Sequence, residues 1–159
     1  MRIIVLADTH GSYRRMKEVF LKNEDADAFI FLGDGEDDLK RIRLAYPDKP
    51  VMSVKGNCDY TSSLPTEGVF EAEGVKIFFT HGHTWGVKYS LDRIFYKAKE
   101  TGARVALYAH THVRFYEYVD GVHILNPGSA ALPRDGKGPG YAYIDITEKG
   151  DIFCSHVDL

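Results

Sequence analysis

Five short apolar runs constrain this chain more than any other feature: Ile3 to Ala7, Ala28 to Leu32, Val51 to Val54, Val75 to Phe79 and Val105 to Ala109. Each is a continuous hydrophobic segment of strand length, as expected of strands covered on both faces. Each is also followed at once by polar residues able to carry chemistry. Asp8-Thr9-His10 follows the first run, Gly33-Asp34 the second, Gly56-Asn57 the third, His81-Gly82-His83 the fourth and His110-Thr111-His112 the fifth. In an open sheet of mainly parallel strands the carboxyl ends share one edge, where ligands bind. Residues spread over a hundred positions are thereby expected to meet in one cleft.

Amphipathic segments alternate with these runs. Ser12 is placed to cap a helix with Met16, Val19 and Phe20 on one face; Glu36-Asp37-Asp38 opens a second with Leu39 and Ile42 inward, ending before Pro47. A third runs from about Ser90 through Leu91, Ile94, Phe95 and Ala98 to Gly102. After residue 113 the pattern changes to hairpins, FYEYV and VHIL around Asp120-Gly121, then YAYIDI and DIFCSHV around Glu148-Lys149-Gly150. A βα-rich first part is thus expected to feed an antiparallel second part, with 134 to 140 (RDGKGPG) an exposed loop.

With 159 residues and 44% hydrophobic content, the expectation is one domain over 1–159. A net charge of −3, with interspersed signs, recommends no stable nucleic-acid complex. No apolar run approaches the ~18 residues of a membrane span, and Asp8 interrupts the N-terminal run well short of a signal segment, so a cytoplasmic location is expected. Cys58 and Cys154 form no C-x-x-C pair.

A lone His or Asp at a strand end is more often a cap or a satisfied polar group than a ligand. The set resists that reading, because five of the seven histidines sit at such ends, while His123 and His156 lie in hairpin strands as structural residues. Alternate residues of an extended chain point the same way, so Asp8 with His10, and His110 with His112, are each expected to aim two ligands at one point. Carboxylate, imidazole and carboxamide without clustered thiolate favour manganese, iron, cobalt, nickel or zinc over a thiolate zinc site. Asp8, His10, Asp34, Asn57, His81, His110 and His112 are too many for one ion and suit two, about 3.5–4 Å apart. GDGEDD at 33 to 38 lacks dinucleotide-loop spacing, no Walker A stretch or zinc-deaminase signature occurs, and a (β/α)₈ metal hydrolase needs ~250 residues.

The ordered motifs D-x-H (Asp8, His10), G-D (Asp34), G-N (Asn57), THGH (His81) and AHTH (His110, His112), with ILNPGSA at 124 to 130, resemble the calcineurin-like metallophosphoesterases, specifically their small single-domain prokaryotic phosphodiesterases. The resemblance implies an α/β (α+β) fold, a four-layer αββα sandwich of two mixed β-sheets flanked by helices. It implies one metal held by Asp8, His10 and His112, another by Asn57, His81 and His110, and Asp34 bridging. The expected cofactors are two divalent ions, manganese first. The expected activity is hydrolysis of a small phosphodiester by a metal-bridging hydroxide, the ions offsetting the aspartates so that an acidic chain attracts phosphate. Asn57 is expected to meet the phosphate. Many relatives have a histidine after this asparagine, where this chain has Cys58 followed by Asp59; the small branch often shows this form. Asp59 is expected as a turn-former or supporting partner, and His83 as either the missing acid or a support for His81. The alternatives are a phosphomonoesterase, or a non-catalytic metal-binding scaffold like the similar retromer subunit, with Tyr116 and Tyr118 as candidate partner contacts; the apolar hairpin half leaves room for a homo-oligomer. Arg114 and Arg134 are candidate phosphate contacts.

Overall fold

The computed structural model describes residues 1–159 as two five-stranded mixed sheets with three helices. In chain order the elements are β1 (Arg2–Leu6), α1 (Tyr13–Lys22), β2 (Ala28–Phe31), α2 (Glu36–Ala45), β3 (Val51–Ser53), β4 (Glu67–Ala72), β5 (Val75–Thr80), a short 3₁₀ turn at His83–Trp85, α3 (Asp92–Thr101), β6 (Val105–Leu107), β7 (Arg114–Val119), β8 (Val122–Pro127), β9 (Gly140–Ile146) and β10 (Ile152–Asp158). The first sheet has the order β10-β9-β1-β2-β3 and the second β4-β5-β6-β8-β7.

Alternation along the strands explains the layers. Ile3, Val5 and Ala7 face inward with Ile30, Leu32, Ile77, Phe79, Val105 and Leu107, forming the core between the sheets. The opposite set, Ile4, Leu6, Phe29 and Phe31, packs on Met16, Val19 and Phe20 of α1 and Leu39 and Ile42 of α2. On the far side, Phe78, Ala106 and Ile124 pack on Ile94 and Ala98 of α3. Because both faces of each inner strand are covered, the sequence shows continuous apolar runs rather than simple alternation. The result is an αββα sandwich. None of its helices is long and apolar enough to cross a membrane.

One strand is new and two expectations change. The EGVFEA segment is a strand, β4, joined to β5 by a tight turn in which Glu73 and Gly74 both have positive φ. It is an edge strand with one half-exposed face, so it lacks the apolar density that marks the other strands. The C-terminal hairpins do not form a separate antiparallel part: β8 pairs in parallel with β6, and β9 pairs antiparallel with β1. Finally, the Ser12 hydroxyl caps no amide; only its carbonyl starts α1, accepting from Arg15 and Met16.

Strands β1, β2 and β3 run parallel, as do β5, β6 and β8. Their carboxyl ends come together along one edge of the sandwich: the Asp8 amide donates to Gly33 O, the Ala109 amide to His81 O and the Ala130 amide to Ala7 O.

Candidate metal centre

Polar groups inside the molecule concentrate at this edge. Asp8, Thr9, Asp34, Asp38, Thr80, His81, His112, Asn126 and Ser129 are all buried, and each lies in or beside a loop at a strand's carboxyl end; Ser53 is the only other buried polar residue. The backbone there is equally unusual. Seven non-glycine residues have positive φ, and five of them are Asp8, His10, Asp34, His110 and His112. The other two, Glu73 and Asp120, stand in hairpin turns. Left-handed backbone costs a non-glycine residue of order 1–2 kcal/mol, and surrounding structure must impose it.

This backbone corrects the expectation of extended alternation. Asp8 and His10 converge because both are left-handed around Thr9, and the strand has already ended at Leu6. His110 and His112, also left-handed, point apart. His112 Nε2 lies 3.2 Å from His10 Nε2 and 3.3 Å from Asp8 Oδ1. The His110 ring sits instead beside His81, with centroids 5.2 Å apart, and its backbone amide donates to Asp8 Oδ2.

Asp34 Oδ2 links the two halves of the cluster, lying 3.8 Å from His10 Nε2 and 3.6 Å from His81 Nε2. On the His81 side, Nε2 is 3.1 Å from Asn57 Oδ1. The ligand atoms of Asp8, His10 and His112 lie within 4.8 Å of one another, as do those of Asp8, Asp34 and His81, and of His10, Asp34 and Cys58.

The donor set fits a divalent cation. His81 Nδ1 stands 2.8 Å from Leu32 O and His112 Nδ1 2.7 Å from Leu132 O. A carbonyl only accepts, so each Nδ1 carries a proton, which leaves Nε2 as the ring atom turned toward the cluster and able to ligate a cation. Around these Nε2 atoms stand the oxygens of Asn57, Asp34 and Asp8. Asp8 Oδ1 is fully buried without a hydrogen-bond partner, and no lysine or arginine pairs with Asp8 or Asp34. Buried carboxylates and converging lone pairs are costly unless a cation lies among them.

Neighbouring groups tune the histidines. Burial first, then His81 and Lys88, lower His110 to about 4, which favours its neutral form. Asp8 raises His112 against the opposing effect of burial. Burial and then His81 lower His83, whose ring lies 5.3 Å from His81 and 6.1 Å from His110 and whose Nδ1 is buried without a partner.

Asp59 is turned toward backbone rather than into the cleft. Its Oδ2 accepts the amides of Asp34 and Gly56, both at 2.8 Å, and its Oδ1 those of Gly35 and Glu36, both at 3.0 Å. It thus caps α2 from another loop and fastens the Asp34 and Asn57 segments together. Burial works to raise this carboxyl, but the four amides outweigh it and hold the pKa below the ordinary carboxylate value. Gly56 is required beside it, since a Cβ there would stand 2.6 Å from Asp34 Cγ. Cys58 is exposed, its amide donates to Asp34 Oδ1 at 2.7 Å, and burial and then Asp34 push its thiol up to about 11.

Several supports were not visible in the sequence. Thr9 Oγ1 donates to the buried Asp38 at 2.7 Å, which had read only as a helix-opening acid; Ser129 Oγ donates to Asp8 O at 2.7 Å, and the Asn126 amide to Thr111 Oγ1 at 3.0 Å. Only the ILNPGSA likeness hinted at the last two. Arg114 faces away from the cluster, bonded to Asp158 at 2.6 Å and Gly138 O at 2.8 Å, so it braces the 134–140 loop instead of meeting phosphate. Arg134 is exposed; His123 and His156 bond Tyr116 and Asn126 O within the strands.

Comparison with known proteins agrees with this geometry. The family model of the calcineurin-like phosphoesterase superfamily domain matches residues 1–149. The Bacillus subtilis (strain 168) protein YsnB, a "probable metallophosphoesterase", is 33% identical over 147 residues, covering 92% of this chain and 85% of its own. The Methanocaldococcus jannaschii phosphodiesterase MJ0936 is 26% identical over 145 residues, 80% of this chain and 83% of its own. A crystal structure of a "predicted phosphoesterase" from Streptococcus pneumoniae TIGR4 superposes with a TM-score of 0.81 at 28% identity, over 98% of this chain and 96% of that one. On the motifs, the sandwich and these matches, the chain belongs to the calcineurin-like phosphoesterase superfamily.

Proposed function

We propose that this protein is a phosphodiesterase working with two divalent ions, manganese foremost and nickel, iron, cobalt or zinc compatible. The observation that carries the reading is the placement of Asp34, whose Oδ2 faces His10 on one side and His81 on the other. A carboxylate so placed can serve two cations at once. Asp8, His10 and His112 would hold one ion, and Asn57, His81 and His110 the other. Bound there, the ions would polarise phosphoryl oxygens and make a water nucleophilic at neutral pH.

The chain's own residues supply orientation and proton control. The Leu32 and Leu132 carbonyls fix the tautomers of His81 and His112, and Asp59 holds the Asp34 and Asn57 loops in register as a positioning residue. The Asn57 amide NH₂, which donates to Cys58 Sγ at 3.2 Å, is available to a phosphoryl oxygen. Cys58 offers no imidazolium to protonate a departing alkoxide, so substrates whose leaving group departs as a stabilised anion are favoured. His83, beside His81 and His110, is the remaining imidazole that could give a proton to the leaving oxygen or steady His81. The phosphodiesterase name of the archaeal relative points the same way.

The test is hydrolysis of bis(4-nitrophenyl) phosphate and 4-nitrophenyl phosphate by protein stripped of metal and titrated with manganese. Diester turnover that rises toward two equivalents and exceeds monoester turnover is expected. Greater monoester turnover would favour a phosphomonoesterase, and tight metal binding without either activity a scaffold.

A further inference from the structure

Two depressions flank the metal cluster, and their chemistry differs. One, of about 370 Å³, includes His10, Asp34 and Cys58 and is otherwise bounded by the start of α2 and the Asp59–Thr61 loop. It is acidic. Glu36, Asp37, Asp38 and Asp59 line it, and its one cation, Lys40, is already paired with Glu36 at 3.2 Å and Asp37 at 3.1 Å. A second phosphate or carboxylate on the substrate would be repelled there.

The other, of about 380 Å³, is lined by Val87, Lys88, Tyr108, Thr111, Val113 and Phe115. Two of its residues belong to loops that also carry residues of the cluster. Thr111 stands between His110 and His112, and Val87 packs behind Gly82, between His81 and His83, so closely that a Cβ on Gly82 would meet Val87 Cγ2 at 2.8 Å. The Tyr108 and Phe115 rings lie 6.2 Å apart at 57°; Tyr108 is buried and forms the floor, and the half-buried Phe115 supplies the aromatic surface of the groove. Val113, though apolar, is 38% exposed. Lys88 is the only charged residue of the lining, is exposed and joins no ion pair of the chain.

On the phosphodiesterase reading, we infer that this groove is the subsite for one uncharged aromatic arm of the diester, with Lys88 at its edge facing the phosphoryl group. The place of Thr111 between His110 and His112, and of Val87 against Gly82, sets the groove beside the reacting phosphate. The single cation complements one anionic group, so the arm itself carries no charge. Contact with the Phe115 ring and with Val113 selects a planar ring over a small alkyl group.

The experiment uses two non-hydrolysable probes, phenylphosphonate and methylphosphonate, titrated calorimetrically into the manganese-loaded protein. Phenylphosphonate is expected to bind roughly tenfold more tightly, from burial of the ring. In Phe115→Ser, and independently in Val113→Gln should the first variant fold poorly, the preference should fall to about twofold or less, with methylphosphonate affinity retained. Equal affinities in the unmodified protein, no phosphonate binding at all, or a preference unchanged in both variants would overturn the assignment. Because binding is read without turnover, the two proposals fail separately. A phenyl preference that depends on Phe115 or Val113 supports the subsite even if diester hydrolysis is absent, whereas hydrolysis without that preference removes the subsite alone.

Discussion

The Asp59 carboxylate accepts the backbone amide of Asp34 at 2.8 Å across 25 residues of sequence, and the same oxygen accepts Gly56 at 2.8 Å. The residue that faces both halves of the metal cluster is therefore held through its main chain by a carboxylate that does not itself face the cluster. Replacing Asp59 by Asn turns one oxygen into an NH₂ that confronts two amide donors. The expected cost is about 1–3 kcal/mol in denaturant unfolding, with manganese affinity reduced roughly 10- to 100-fold because the Asp34 and Asn57 loops lose their register. Asp59→Glu should restore part of the affinity. Unchanged metal binding in a folded Asp59→Asn protein would refute the positioning role.

Cys58 follows Asn57 directly and lies on the cleft side of Asp34, so on the proposed reading an imidazole there would be placed to deliver a proton. The Cys58→His variant is expected to raise kcat/KM for a monoester with a poor leaving group by about tenfold or more, while activated diesters gain less. A parallel gain on all substrates would indicate a general effect on metal loading. The measurement is the ratio of the two specificity constants at equal metal content.

Much of this edge was legible because aspartate, asparagine and histidine recur at or just past the ends of five apolar runs. The periodicities of Met16, Val19 and Phe20, of Leu39 and Ile42, and of Ile94 and Ala98 likewise anticipated the buried helix faces. What was not legible depends on distant partners. The left-handed backbone of Asp8, His10, His110 and His112 is supported by bonds such as Ser129 Oγ to Asp8 O, 121 residues apart; aspartate and histidine enter this region more often than most residues, but too seldom for sequence to announce it. Asp38 looks like any helix-opening acid until Thr9 is placed on it. Strand β4 escaped because an edge strand takes its register from β5 rather than from its own pattern.

Two histidines remote from the cluster set an acid limit on folding. Burial lowers the pKa of His123, with Arg104 adding to it, and burial also lowers that of His156, in each case below the ordinary 6.5. The folded state then binds fewer protons than the unfolded chain, so the stabilisation is complete above about 6.5 and is lost as pH falls below it. Thermal unfolding should show a drop in Tm between pH 7.5 and pH 5, smaller in His123→Gln/His156→Gln than in the unmodified protein at the same metal content. Parallel curves for the two proteins would show that these histidines are not the source.

Asp34 gives the sharpest test of the shared-ligand reading, because its Oδ2 stands within 4 Å of both His10 and His81 while its Oδ1 accepts the Cys58 amide at 2.7 Å. Asp34→Asn keeps the shape and one acceptor but removes the charge. If the residue serves both ions, the variant should lose affinity for both manganese equivalents together, and diester turnover should fall by about 10²-fold or more. If it serves one ion, a single equivalent should bind as tightly as before. Metal analysis after gel filtration, paired with the unfolding transition to confirm the fold, separates these outcomes, and full turnover in metal-replete Asp34→Asn would exclude any bridging role.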